Sequence, residues 1–334
     1  MFNKVYESIK RFIKTNYKEL IVYIIVFVIL TYRLPYYIFI GGGIIDLNKR
    51  IDLEGNEKGT YNMAYVKEMH ATIPTFLLSY IIPTWDLESV NKSKIDDEED
   101  YKDIDLREKL YLEEANNNAI INAYRLAGKD ITIKDSSFKV IYIDKKSDTN
   151  IKVGDKLISV NGVIINSNKE YKEYLNTLNV GEDLKVIVER DNKKIECYAK
   201  LSLINEQKII GLYLVNMYDY EVNPKINLKF KWNESGPSGG FMLSLAIYDK
   251  LINEDLTKGR RIVGTGTIDI DGNVGEIGGV KYKIMGAEKN HADIFFVPSN
   301  NYEEAMKTKK QFNYKINIVK VDTLNDAIIY LKNN

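Results

Sequence analysis

Thirteen consecutive residues without a charge, Leu20-Ile21-Val22-Tyr23-Ile24-Ile25-Val26-Phe27-Val28-Ile29-Leu30-Thr31-Tyr32, constrain this chain more than any other stretch. So apolar a run has to leave water, into a core or into lipid. Extended by Leu34 to Ile40, it approaches the roughly 20 residues that a membrane-crossing helix needs. The preceding Met1 to Glu19 carries Lys4, Lys10, Arg11, Lys14 and Lys18 against Glu7 and Glu19, the basic flank that stays on the cytoplasmic side. Arg33 and Pro35 mark the far boundary, where Tyr32, Tyr36 and Tyr37 would form an interfacial belt. A cleaved signal peptide would end in small residues, but Tyr36-Tyr37-Ile38-Phe39-Ile40 is bulky. A buried core helix seldom follows such a basic leader. The expectation is one uncleaved transmembrane helix over 20–40 in the cell membrane. Residues 1–19 would be cytoplasmic and everything after 40 extracytoplasmic.

The rest of the chain reads as globular. At 334 residues it has room for two or three domains. Lys plus Arg equals Asp plus Glu, 47 each, so no basic field points to nucleic acid. One cysteine, Cys197, excludes an internal disulfide. The two histidines, His70 and His291, stand far apart and give poor support to a metal-dependent hydrolase. No G-x-x-x-x-G-K-[ST] run is present, which argues against ATP-driven work. The acidic run Asp96-Asp97-Glu98-Glu99-Asp100 lacks calcium-loop spacing and reads as a solvated lead into a helix. The expectation is therefore no cofactor and no metal.

In chain order, strand-like runs at Gly43 to Leu47 and Thr60 to Val66 come first. An apolar piece from Thr75 to Ile82, too short to cross a membrane, lies between Pro74 and Pro83. Leu110, Ala115, Ala119, Ile120, Ala123 and Leu126 recur at helical spacing, and Gly128 ends that helix. A compact β-rich stretch follows. Trp232 reads as a core or rim aromatic. Strands at 261–270, 294–297 and 316–321 alternate with helices after 238, 280, 302 and 323, an α/β pattern.

Chemistry concentrates at Glu234-Ser235-Gly236-Pro237-Ser238-Gly239-Gly240, followed by the apolar run Phe241-Met242-Leu243. A serine in a glycine-proline turn is unobstructed, and the helix behind it points amides back toward the hydroxyl. Backbone around Gly236, Pro237 and Gly239 is thereby the expected oxyanion site. The nucleophile needs a base. The literal G-x-S-x-G match would pair Ser238 with His291 and either Asp269 or Asp271. The alternative base is Lys281, at the start of a predicted helix after Gly278-Gly279 and beside apolar Ile277, Val280 and Ile284.

The run Val153-Gly154-Asp155-Lys156-Leu157-Ile158-Ser159-Val160-Asn161-Gly162 resembles the core motif of PDZ domains. The resemblance, over about 129–203, implies a small β-rich fold that captures a peptide as an added strand. Its groove would lie between the strand with Phe138 and Val140 and the helix with Tyr171 and Leu175. The usual glycine-rich carboxylate loop is missing ahead of Phe138, where Asp135-Ser136-Ser137 stands.

Gly236-Pro237-Ser238-Gly239-Gly240, Thr265-Gly266-Thr267-Ile268 and Ile277-Gly278-Gly279-Val280-Lys281-Tyr282-Lys283 resemble, in order and spacing, the serine, threonine and lysine motifs of the Lon protease family. The tail Ala292-Asp293-Ile294-Phe295-Phe296-Val297-Pro298 resembles that family too. The resemblance implies Ser238 as nucleophile, Lys281 as general base and Thr265 in support of the lysine. Ser235 stands where the family commonly has aspartate. Gly59 to Met63 and Leu112 to Leu126 resemble the start of the same domain, which makes the PDZ-like stretch an insertion. The implied fold is α+β or α/β: a Lon-type domain in parts 41–128 and 206–334, with the PDZ-like part at 129–205. As a whole the chain resembles the extracytoplasmic, membrane-anchored PDZ-containing Lon-like proteases. That implies an ATP-independent serine endopeptidase acting on peptides or flexible protein segments, and homo-oligomerisation by family analogy. A catalytically silent peptide-binding scaffold is the rival from another class.

Overall fold

The computed structural model describes residues 2–90, 94–96, 99–165, 168–204, 206–231, 234–252 and 254–334. Trp232, and Asp97 and Glu98 of the acidic run, lie outside these residues. The chain forms two compact units, Met1–Gly41 with Val66–Ser93 and Gly42–Tyr65 with Lys94–Asn334.

The first unit opens with α1 (Phe2–Thr31), whose helical backbone is interrupted at Asn16 (φ −112°, ψ 19°). The expected span over 20–40 is not a single helix. The helix stops at Thr31, and β1 (Arg33–Asp46) takes over. Pro35 disfavours a helical residue before it, and the aromatic and β-branched Tyr36 to Ile40 suit a strand. From Leu20 to Thr31 an α-helix rises only ~18 Å, against a hydrocarbon core of about 30 Å. Among the described residues no helix is long and apolar enough to cross a membrane. β2 (Ile51–Asp52) and β3 (Thr60–Thr72) follow, and β1 and β3 both run through the two units. The apolar piece between Pro74 and Pro83 starts as α2 (Ile73–Ser79), capped by reciprocal bonds between Thr72 and Thr75. β4 (Asp86–Ser89) then pairs antiparallel with β1, Tyr36 opposite Ser89.

In the second unit, α3 (Tyr101–Leu126) starts on an N-cap bond from the Lys102 amide to Asp100. Next come β5 (Asp130–Ile143), β6 (Lys156–Val160), β7 (Val163–Ile164), α4 (Asn168–Thr177), β8 (Asp183–Arg190) and β9 (Lys193–Lys200). The hairpin β10 (Ser202–Ile204) and β11 (Gln207–Ile209) leads into β12 (Leu212–Asn223). The sheet order is β12-β5-β6-β8-β9. β5 and β12 stay paired from Ile143 opposite Leu212 to Asp130 opposite Asn223, so the chain leaves and returns along one antiparallel stem. Phe138, Val140, Leu157, Leu184, Val186 and Val188 fill a core of their own. Leu110 of α3 packs with Ile141, Val215 and Met217, which seats this domain on α3.

The remaining elements are β13 (Asn227–Leu228), α5 (Gly240–Ile252), β14 (Arg261–Gly264), β15 (Thr267–Ile268), β16 (Val274–Gly275), α6 (Val280–Lys289), β17 (Ile294–Pro298), α7 (Tyr302–Gln311), β18 (Asn317–Val321) and α8 (Leu324–Asn333). β3, β14, β17 and β18 run parallel. Side-chain alternation divides their apolar residues between two faces. Ile262, Ile294 and Phe296 meet Phe241 and Leu245 of α5 and Leu324 of α8 on one face. Val263, Phe295 and Val297 meet Val280 and Ile284 of α6 and Ala305 of α7 on the other. The result is a mixed α/β fold bearing a separate β-domain.

Candidate active site

Two helices on opposite faces of the parallel strands begin at one end of β14, and each start carries a predicted site residue. On one face, Ser238 ends the turn that opens α5. Its carbonyl accepts from the Gly266 amide (2.8 Å) and from the Thr265 hydroxyl (3.1 Å). Thr265 follows β14 directly and is fully buried. The threonine predicted to support the lysine therefore has its hydroxyl on the serine's own backbone. Gly236 holds φ +86°, a left-handed conformation that a side chain would strain, and its amide donates to the Glu108 carbonyl (3.0 Å). The Gly240 amide closes the turn onto Pro237 (3.1 Å).

On the other face, α6 starts after Gly279, whose φ of +71° supplies the left-handed residue that redirects the chain into the helix. Lys281 stands in the first turn of α6, half-buried, with Nζ 5.6 Å from the Tyr282 ring centre. Val280 belongs to the same buried apolar cluster as Val263 of β14, two residues before Thr265. Ser238 and Lys281 thus reach the same strand end from the two sides. In parallel α/β sheets, reactive groups collect at this carboxyl end.

The oxyanion expectation is corrected in detail. Pro237 has no amide hydrogen, and the Gly236 amide is already committed to Glu108. The amides of Ser238 and Gly239 form no hydrogen bond among the described residues. They are the donors left to receive negative charge.

The Ser-Asp-His alternative does not assemble. His291 lies beyond the C-terminal end of α6 and lines a cavity with Thr60 and Arg261, the first residues of β3 and β14. From Arg261 to Thr265 the strand advances ~13 Å at about 3.3 Å per residue. The Asp269 carboxylate is occupied with Asp271 and Asn273 in its own turn.

Glu108 escaped the sequence reading. Besides the carbonyl bond, its carboxylate faces Gly236, with Oε2 3.4 Å from where a β-carbon would stand. Burial pushes its carboxyl up, Arg107 opposes this and Glu99 adds to it. Nothing in the local sequence signals a residue so far upstream of the turn. Lys283 was missed as well. It is buried on α6, and desolvation lowers its ammonium from the ordinary 10.5 to about 8.

The four residues expected to line a peptide groove, Phe138, Val140, Tyr171 and Leu175, are buried core residues. At Phe138, β5 has β12 on one side and β6 on the other, so no strand can be added there. The sheet ends on β12 at one side and on β9 at the other. Along the β12 edge, Glu114 accepts from the Asn216 amide and Asn117 from the Tyr218 amide (3.0 Å). With a period of two, Leu212 and Leu214 turn their amides to the same side, and among the described residues neither donates to α3. Ile209-Ile210-Gly211 precedes them. Leu212, Leu214, Tyr174 and Leu178 are half-buried against the domain core, as groove-lining residues would be.

Comparison with known proteins agrees with this division. Residues 232–332 match the Lon protease (S16) C-terminal proteolytic domain, and residues 130–201 match the PDZ domain. Lon protease of Campylobacter jejuni is 30% identical over 125 residues, 33% of this chain and 15% of that protein. A peroxisomal Lon protease homolog 2 of Caenorhabditis elegans is 31% identical over 96 residues, 29% of this chain and 12% of that protein. The chain thus spans well under a fifth of the length of these relatives. The PDZ domain of an SdrC-like protein of Listeria monocytogenes is 22% identical, covering 25% of this chain and 92% of that one, with a TM-score of 0.22. The chain carries a Lon-type S16 proteolytic domain, which is a serine peptidase domain of the Ser-Lys dyad type, together with a PDZ domain.

Proposed function

We propose that this protein is a membrane-attached endopeptidase, with Ser238 as nucleophile and Lys281 as general base. The observation that carries the reading is the double hydrogen bond from Thr265 and Gly266 to the Ser238 carbonyl. It locks the serine turn to the strand end that α6 and Lys281 approach from the other face. Lys281 takes the Ser238 proton as Oγ bonds to the peptide carbonyl carbon. The amides of Ser238 and Gly239 hold the resulting oxyanion. The C–N bond then breaks, the leaving amine takes the proton back from Lys281, and water releases the acyl group as a carboxylate.

Substrates are peptides or flexible segments, cleaved without ATP. The PDZ domain presents them by adding a strand at the Leu212–Leu214 edge of β12, opposite Tyr174 and Leu178. Attachment to the cell membrane is through α1, which exposes apolar side chains on every face from Ile21 to Leu30 behind a basic leader. Hydrolysis of a denatured casein substrate by the full chain tests the reading. Loss in Ser238→Ala and in Lys281→Ala, with retention in His291→Ala, is the expected pattern. Retention in Ser238→Ala would remove Ser238 as the nucleophile, and no hydrolysis by the unaltered chain would leave the peptide-binding scaffold.

A further inference from the structure

The first unit carries a second apolar surface that the peptidase reading does not use. Ala71 to Trp85 contains no Asp, Glu, Lys or Arg. Within it α2 and the turn after it leave Leu77, Leu78, Tyr80 and Ile81 facing out, with Tyr80 74% and Ile81 73% exposed. Single exposed apolar side chains are ordinary, but a contiguous group of large ones calls for a partner.

The placement identifies that partner. α2 packs against α1 in this unit. A ring ladder links the start of β1, just past the end of α1, to the same turn: Tyr36 to Phe76 at 5.5 Å and Phe76 to Tyr80 at 5.4 Å. The exposed face of α2 therefore continues the apolar surface of α1. A protein groove covers one face of a helix, whereas α1 is apolar all round from Ile21 to Leu30. A fluid apolar phase meets every face at once. Exposed Lys10, Arg11, Lys14 and Lys18 complement anionic headgroups. Tyr32, Tyr36, Tyr37, Tyr80 and Trp85 supply the amphipathic rings that settle at headgroup depth.

We propose that the α2 turn is a lipid-facing wedge. Leu77, Leu78, Tyr80 and Ile81 enter the bilayer interface beside α1, so the first unit sits on the membrane at two points. This rests on the membrane attachment proposed above and adds a second, separable contact. Two contacts would hold the unit at a fixed depth and tilt, where a single helix would leave it swivelling.

The test uses the full chain with Trp85→Phe and Trp232→Phe, bearing one reporter at a time: Tyr80→Trp, Ile81→Trp or, on α1, Tyr23→Trp. Each is mixed with vesicles of phosphatidylcholine and phosphatidylglycerol, with and without brominated phosphatidylcholine. The wedge predicts a blue shift and bromine quenching at positions 80 and 81 as well as at 23. Quenching at 23 with neither 80 nor 81 affected overturns the wedge and leaves the attachment standing. Quenching at none of the three overturns both. A blue shift at 80 without vesicles, accompanied by a dimer in sedimentation, assigns the surface to a second copy and also overturns the wedge.

Discussion

Thr265 is where the candidate chemistry depends most on one side chain. Its hydroxyl donates to the carbonyl of Ser238 from a fully buried position. Thr265→Val keeps the shape and removes that donor, leaving the Gly266 amide as the carbonyl's partner. The expected cost is about 1 kcal/mol of stability. A fall in kcat of about fivefold would follow if the same energy holds the serine in its reactive position; steady-state kinetics on a short peptide reads it. Lys283 has a different signature. In the folded chain it gives up its proton near pH 8, and in the unfolded chain near its ordinary 10.5. Between these values the unfolded state holds more protons, so stability rises with pH through the window. Below about 8 the buried ammonium imposes its full penalty, at most about 3 kcal/mol. Lys283→Met should therefore stabilise the protein most below pH 8, with the gain fading toward pH 10.5 in urea melts run at both ends. Neither role could be read locally. Thr265 was legible as a motif member but its partner was not, and Lys281 and Lys283 look equivalent until the helix face buries one of them.

At the scale of elements, edges and ends decide function. In the proposed function β12 takes the peptide because it ends the sheet at one side and, among the described residues, α3 meets its Asn216 and Tyr218 amides. Leu214→Pro removes one edge amide. Proline is tolerated on edge strands, so the fold should survive. Peptide affinity should fall by about tenfold, the worth of a lost interfacial hydrogen bond, while hydrolysis of a short substrate that bypasses the groove stays unchanged. Fluorescence anisotropy with a labelled peptide checks the first and initial rates the second. The PDZ motif was readable from Val153 to Gly162, but which strand is the edge depends on pairing between residues about 70 positions apart, such as Leu212 with Ile143. The N-terminal helix shows the same limit. Hydropathy registers apolar residues on both sides of Pro35, but only backbone preference separates the helix ending at Thr31 from the strand starting at Arg33.

For the whole molecule, α3 ties the parts of the second unit together. Its Glu108 carbonyl holds Gly236, Asn118 and Asn122 hold the carbonyls of Ile268 and Asp269, and Leu110 seats the PDZ domain. The α/β alternation and the serine and lysine motifs were legible because each is local and periodic. How the two are placed was not, because it depends on α5 and α6 starting at the same end of β14 on opposite faces. The proposed function stands on the pairing of Ser238 with Lys281. Its most direct measurement is mass spectrometry of the full chain after reaction with a fluorophosphonate, locating the adduct by peptide mapping. The expected result is one adduct, on Ser238, absent from Ser238→Ala, strongly reduced in Lys281→Ala and unchanged in His291→Ala. An adduct that survives Lys281→Ala but disappears in His291→Ala would contradict the account.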